Sequence, residues 1–244
     1  MAPLSTAEIL ALLAQGELKL EGRLVWSSNA AFLARVHAPE GALYAIYKPA
    51  RGERPLWDFP AGTLCRREVA TFLLGQSLGW PAIPPVVLRQ GPLGLGSVQL
   101  YVDVDEEAHY FTWRQSPARQ DELQRIALFD VVVNNADRKG GHLLLGPEDQ
   151  VWAIDHGLTF HVEYKLRTVI WDYAGQPIPP EMAEELGRLQ AALAQEGAPL
   201  VQALSALIAP EELAALRRRL HALLQNGHFP RPRPGWRNVP YPLI

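Results

Sequence analysis

Asp137 and Asp155 are the residues of this chain best placed to do chemistry. Asp137 lies in VVVNNADRKGGHLLL and Asp155 in VWAIDHGLTF. The two acids flank HLLLGPEDQVWAI, a short segment with the apolar, β-prone character of a hairpin. Two carboxylates placed this way can serve one phosphate. One orients and deprotonates an attacking hydroxyl, while the other holds a divalent metal against the phosphate oxygens. Taken singly, Asp137 is also ordinary turn material beside Asn134, Asn135 and Gly140, and Asp155 can simply cap a strand end. It is the pair that points to phosphoryl transfer.

Other residues add to the pair. Lys48 ends ALYAIYKP, where an ammonium can project into a cleft and meet nucleotide phosphates. Glu68 follows in a helical segment and can hold Lys48 in place. The competing reading makes Lys48 a solvated strand end and Arg66, Arg67 and Glu68 a solvated helix face. His142 stands five positions after Asp137, where many kinases carry an Asn as second metal ligand. An imidazole is a softer ligand than magnesium prefers, so His142 either ligates a metal or orients the loop by hydrogen bonding. Arg138 or Lys139 can offset phosphate charge, and Gly157 lets the backbone turn sharply after Asp155. Ser27, Ser28 and Asn29 can offer hydroxyls and backbone N–H groups to phosphates. The chain holds no GxxxxGK[ST] sequence. Trp171, in RTVIWD, reads as a packing residue beside the acceptor side of a cleft.

Elements that would position these residues can be read from patterning. Residues 5–15 read as a short amphipathic helix capped by Ser5 or Thr6 and ended by Gly16. LKLEGRLVW, AAFLARVHA and ALYAIYKP read as three strands of an antiparallel meander. Residues 51–62 form a loop, and CRREVATFLLGQSLG has helical spacing. PPVVLRQ and GSVQLYVDVD are two further strands, and ARQDELQRIALFDVVVNN is a helix. Residues 180–226 favour helix, divided by Pro199 and Pro210 and ended by Gly227. Arg217, Arg218 and Arg219 read as a solvated face of that helical stretch. The tail PRPRPGWRNVPYPLI cannot be a regular helix. A boundary near residues 103–118 separates a β-rich part from a helical part.

Bulk properties narrow the class. The chain has 244 residues, 48% hydrophobic and 20% charged, as a globular protein does. Its formal net charge of −3 gives no general attraction to nucleic acid or anionic membranes. One cysteine, Cys65, excludes an intramolecular disulfide and a cysteine zinc cluster. No signal sequence opens the chain and no apolar run is long enough to span a bilayer, so the expected location is cytoplasmic.

The order of SSN, YKP at Lys48, RREVA at Glu68, LGWPAIPP, VQLYVD, NNADRKGGH and IDHG resembles the phosphatidylinositol 3/4-kinase-like group of the protein-kinase-like superfamily. It resembles an uncharacterised bacterial branch of that group more closely and is distantly similar to HipA-type kinases. The resemblance runs from about residue 20 to residue 175. It implies an α+β, bilobal protein-kinase-like fold in a single domain of residues 1–244. Residues 1–103 would be a β-rich N-lobe and residues 104–244 a mainly helical C-lobe. It implies that Asp137 is the catalytic-loop acid, that Asp155 is the principal metal ligand, and that Lys48 contacts ATP phosphates and pairs with Glu68. Ser27, Ser28 and Asn29 match the phosphate-covering turn, and Tyr101, Val102 and Asp103 fall at the interlobe hinge. Lys139 stands where the family has His and His142 where it has Asn, which makes manganese an alternative to magnesium. The expected activity is an ATP-dependent kinase acting on a hydroxyl of a protein or small-molecule acceptor, with no nucleic-acid partner and no stable membrane association. Its alternatives are a phosphoinositide lipid kinase, an AMP-transferring enzyme and a nucleotide-binding pseudokinase.

Overall fold

A computed structural model describes residues 4–24, 29–38, 41–147 and 149–244. Helix α1 (Thr6–Gln15) opens with a reciprocal cap: Glu8 N–H donates to Ser5 Oγ, and Ser5 N–H donates to Glu8 Oε2 at 2.8 Å. Gly16 ends the helix. Strands β1 (Glu17–Arg23), β2 (Phe32–Ala38) and β3 (Gly41–Pro49) follow as an antiparallel meander. Helix α2 (Leu64–Leu78) then precedes β4 (Val86–Gly91) and β5 (Gly94–Leu100). The five strands form one sheet in the order β1-β2-β3-β5-β4.

The sheet's alternation sets its two faces. Ala45 and Tyr47 of β3 point to a small core with Leu13, Leu18, Ala34, Val36 and Val98, under α1. Lys48, one residue on, therefore points to the opposite face, toward α2. Gly96 of β5 allows this strand end to pair closely. A Cβ there would sit 2.5 Å from the Lys48 carbonyl oxygen and 2.8 Å from Pro49 Cα, so only glycine keeps the Pro49–Gly96 register.

Pairing on β5 stops at Leu100, earlier than the run VQLYVD predicts. Tyr101 to Val104 form no ladder, although Tyr101 N–H still reaches the Tyr44 carbonyl at 2.9 Å. Beyond them, β6 (Asp105–His109) joins β7 (Leu143–Leu145) and β8 (Val151–Ala153) in a three-stranded antiparallel sheet. Between β6 and β7 lie α3 (Tyr110–Trp113) and α4 (Gln120–Val133). Helix α4 is buried along most of its length and ends on Asn134 in the left-handed region, φ 56°. Three helices close the chain: α5 (Pro180–Ala194), α6 (Pro199–Ser205) and α7 (Pro210–Asn226). Each begins with proline, and α7 ends on Gly227 at φ 65°. The larger core joins Phe72 and Leu74 of α2, Leu128 and Phe129 of α4, Leu143 of β7, Leu186 of α5 and Leu216 of α7.

Three expectations about charged faces are corrected. Arg67 and Glu68 are not a solvated face. Both are buried, because α2 lies between the sheet and the helical part. Arg219 is likewise largely buried, donating to the carbonyls of Val132 and His161 at 3.1 Å each. That desolvation pulls its guanidinium down to about 10. Arg138 is fully buried and does not face a cleft.

Candidate active site

Lys48 reaches from β3 to a carboxylate on each of two other elements. Its Nζ lies 2.6 Å from Glu68 Oε1 of α2 and 3.0 Å from Asp155 Oδ1, just past β8. The second oxygen of Glu68 accepts His156 N–H at 3.0 Å, so one buried glutamate holds both the lysine and the backbone beside Asp155. Asp155 itself adopts φ 59°, a left-handed conformation that Asp tolerates better than most residues. The sharp turn expected at Gly157 therefore falls two residues earlier. Gly157 instead lines the cleft, where a Cβ would come within 3.6 Å of Glu68 Oε1.

The cleft encloses about 570 Å³ of empty space, its open mouth included. Asn29, Lys48, Glu68, Asp137 and Asp155 line it, as do Glu53 and Cys65, which sequence reading did not select. Glu53 Oε1 accepts Cys65 N–H at 3.0 Å and so ties the loop after β3 to the start of α2. Asn29 Oδ1 accepts Arg54 N–H at 2.7 Å and fastens the same loop. Burial, with Glu53 nearby, pushes the Cys65 thiol up to about 12, which makes it a poor nucleophile at neutral pH.

Electrostatics separate the two acids. Lys48 holds the Asp155 carboxyl well below its ordinary range. Burial alone would lower the Lys48 ammonium, but Asp155 and Glu68 outweigh it and hold it above its ordinary value. Burial pushes Asp137 up to about 6, opposed by Lys139, whose Nζ lies 3.5 Å from Asp137 Oδ2. His142 is held neutral, lowered by burial to about 4 despite Asp155. Its Nδ1 accepts Lys139 N–H at 3.5 Å, leaving Nε2 to carry the proton that faces Asp155 Oδ2 at 3.4 Å.

Beneath the cleft lies a network that sequence reading missed. Arg138 Nε donates to Asp130 Oδ2 at 2.9 Å and its Nη2 to Oδ1 at 3.0 Å, with both side chains 0% exposed. Asn135 Nδ2 donates to the same Oδ1 at 2.9 Å, while Asn135 Oδ1 accepts Asp137 N–H at 3.0 Å. Arg138 also donates to the Ile154 carbonyl at 2.9 Å and, through Nη2, to His156 Nε2 at 2.7 Å. One guanidinium thus pins the Asp137 loop to the Asp155 loop. The available signal was Asp130, a lone acid inside the apolar run ALFDVVV, since a buried carboxylate requires a partner.

Other selected residues fall elsewhere. Ser27 and Ser28 lie outside the described residues. Tyr101, Val102 and Asp103 do not line this cleft; Asp103 borders a separate open depression with Asp105, Leu145 and Asp149. Trp171 Nε1–H donates to the Asn238 carbonyl at 3.1 Å. Among the described residues, no three His, Cys, Asp or Glu side chains converge as a metal cage. The donor set still suits magnesium, which takes one or two carboxylates and completes its shell with substrate phosphates and water. Asp155, half exposed into the cleft, is such a carboxylate.

Comparisons with known proteins bear on the fold and the family. No protein-family model matches the chain. The Golgi casein kinase solved with Mn and ADP bound aligns with a TM-score of 0.58 at 16% identity, over 91% of this chain and 75% of that one. A second structure of the Golgi casein kinase aligns with a TM-score of 0.57. The fold is therefore the bilobal, protein-kinase-like α+β fold. Among the described residues, no helix is long and apolar enough to cross a membrane. Phosphatidylinositol 4-kinase gamma 4 of Oryza sativa subsp. japonica is 30% identical over 51% of this chain but only 26% of its own length. The Arabidopsis thaliana protein of the same name is 25% identical over 56% of this chain and 28% of its own length. A match of 41% identity spans nearly both full sequences, 96% of this one and 95% of the other, and by it the chain belongs to the family of Protein Rv2133c of Mycobacterium tuberculosis.

Proposed function

We propose that the chain is an ATP-dependent, metal-assisted phosphotransferase that delivers a phosphoryl group to a hydroxyl of a protein or small-molecule acceptor. One observation carries the reading: Lys48 sits between Glu68 and Asp155 on the wall of a cleft whose other acid is Asp137. Residues 1–103 and 104–244 act as the lobes on either side of ATP. Lys48 stays charged and neutralises phosphate oxygens, and Glu68 fixes its reach. Lys139, beside Asp137, offsets charge on the transferred group. Asp137 accepts the hydrogen bond of the acceptor hydroxyl and takes its proton as the new O–P bond forms and the bond to ADP breaks. A divalent ion, magnesium or manganese, supplies further charge neutralisation across the phosphates when bound, and Asp155 is the carboxylate to hold it. His142 presents an N–H to Asp155, which favours orienting that carboxylate over ligating the ion. Rate acceleration comes from positioning and electrostatics.

A phosphoinositide acceptor is the second reading, favoured by the similarity to the rice kinase over half of this chain. The test is nucleotide binding and turnover by the purified protein with magnesium or manganese. Asp155→Ala loses metal-dependent nucleotide binding; Asp137→Ala keeps binding and loses turnover. Mass analysis of a modified acceptor, protein or phosphoinositide, shows a gain of phosphate and not of adenylate. If both variants behave like the parent, the site assignment is wrong.

A further inference from the structure

The segment after α7 is tied down along its length. Phe229 is buried, and its N–H donates to the Gln176 carbonyl at 2.9 Å. Asn238 closes a turn: its Oδ1 accepts Arg233 N–H at 2.9 Å, and its Nδ2 donates to the Arg233 carbonyl at 2.8 Å. The Asn238 carbonyl accepts both Thr168 N–H and Trp171 Nε1–H at 3.1 Å. Pro240 is buried. The Leu243 carbonyl then accepts Gly140 N–H at 2.7 Å.

Both attachments lead to the cleft. Thr168 lies between the tail and the catalytic-loop candidate. On its other side, Arg138 N–H donates to the Arg167 carbonyl at 3.0 Å, and Val169 N–H donates to the Arg138 carbonyl at 3.1 Å. Gly140 begins the 3₁₀ turn Gly140–His142, and the His142 ring faces Asp155. Trp236, Val239, Tyr241, Leu243 and Ile244 remain exposed, so beyond the buried Phe229 and Pro240 and the Arg233 guanidinium over the Tyr164 ring, the attachment rests on these hydrogen bonds. Prolines at 230, 232, 234, 240 and 242 restrict the undocked tail and reduce the entropy lost on docking.

We propose that residues 228–244 form a strap that positions the Asp137–His142 loop, with Asn238 as the positioning residue. Its catalytic consequence rests on the kinase reading above; its structural consequence does not. The test uses full-length Asn238→Ala and Pro240→Asp, with Val239→Ala as an exposed tail control. Amide hydrogen exchange at Gly140 and Thr168 should rise about tenfold or more in the first two variants, while Leu128 in α4 keeps its protection. ATP turnover should fall about tenfold in kcat with KM for ATP changed less than about twofold, as expected for a misplaced loop. Val239→Ala should move neither. Unchanged Gly140 exchange in both test variants overturns the strap, whatever the turnover. Raised exchange with unchanged kcat overturns its positioning role. A parent protein that neither binds nor turns over ATP defeats the kinase reading, and Gly140 exchange then decides the strap alone.

Discussion

Asp137 sits under opposing influences that set where its carboxyl titrates. Burial raises its carboxyl to about 6 while Lys139 pulls it down. If Asp137 must be ionised to accept the acceptor's hydrogen bond, kcat/KM should rise with pH through about 6, as a pH–rate profile would record. A flat profile between pH 5 and 7 would remove Asp137 from that role. Stability should run the other way. A carboxyl whose folded pKa is raised contributes stability below its unfolded value, and that contribution is lost as pH rises through about 6. Asp137→Asn should therefore melt a few degrees higher than the parent at pH 7.5, with the difference vanishing near pH 4. Asp137, Asp155 and Lys48 were legible as candidates because each ends or follows a patterned run, and Glu68 because it sits on the helix after Lys48. Arg138 was not: a basic residue beside a candidate catalytic acid reads as a phosphate partner until its burial is known.

Arg138 acts at the scale of elements, joining α4 through Asp130 to the end of β8 through the Ile154 carbonyl. Removing one partner of a fully buried pair leaves an uncompensated charge, which costs about 3–5 kcal/mol. Arg138→Met should therefore lower the melting temperature by roughly 10 °C, measured by calorimetry. A loss of only a degree or two would mean that water replaces the pair. On the proposed kinase reading, the same variant should also weaken nucleotide binding, because Asp155 then loses its fixed distance from Asp137. Most element types followed from local physics. Ser5 and Glu8 start α1, prolines start α5, α6 and α7, and alternation sends Lys48 and Tyr47 to opposite faces of β3. The early end of β5 did not, since Tyr101 to Val104 have strand-like composition but lack a ladder partner.

Across the whole molecule, α2 is joined to the C-terminal helices by Arg67, whose guanidinium pairs with Glu212 of α7 and donates to the Thr159 carbonyl at 2.6 Å. Phe59 stacks on the same guanidinium, 5.0 Å from its ring centre. Because α2 also carries Glu68, this contact ties the position of Lys48 to the helical part. Arg67→Met and Glu212→Leu should each destabilise the protein by about 2–4 kcal/mol, and the double variant by less than their sum, as a urea-denaturation cycle would show. Strict additivity would deny the coupling. By itself, the sequence determined most element types, many of their ends and the candidate acids, because caps, prolines and periodicity act within a few residues. Only the tertiary structure decided which charges are buried, where the sharp turn at Asp155 falls, and that the proline-rich tail returns to Gly140. Those outcomes depend on desolvation and on hydrogen-bond partners far away in the chain, which local patterning does not encode.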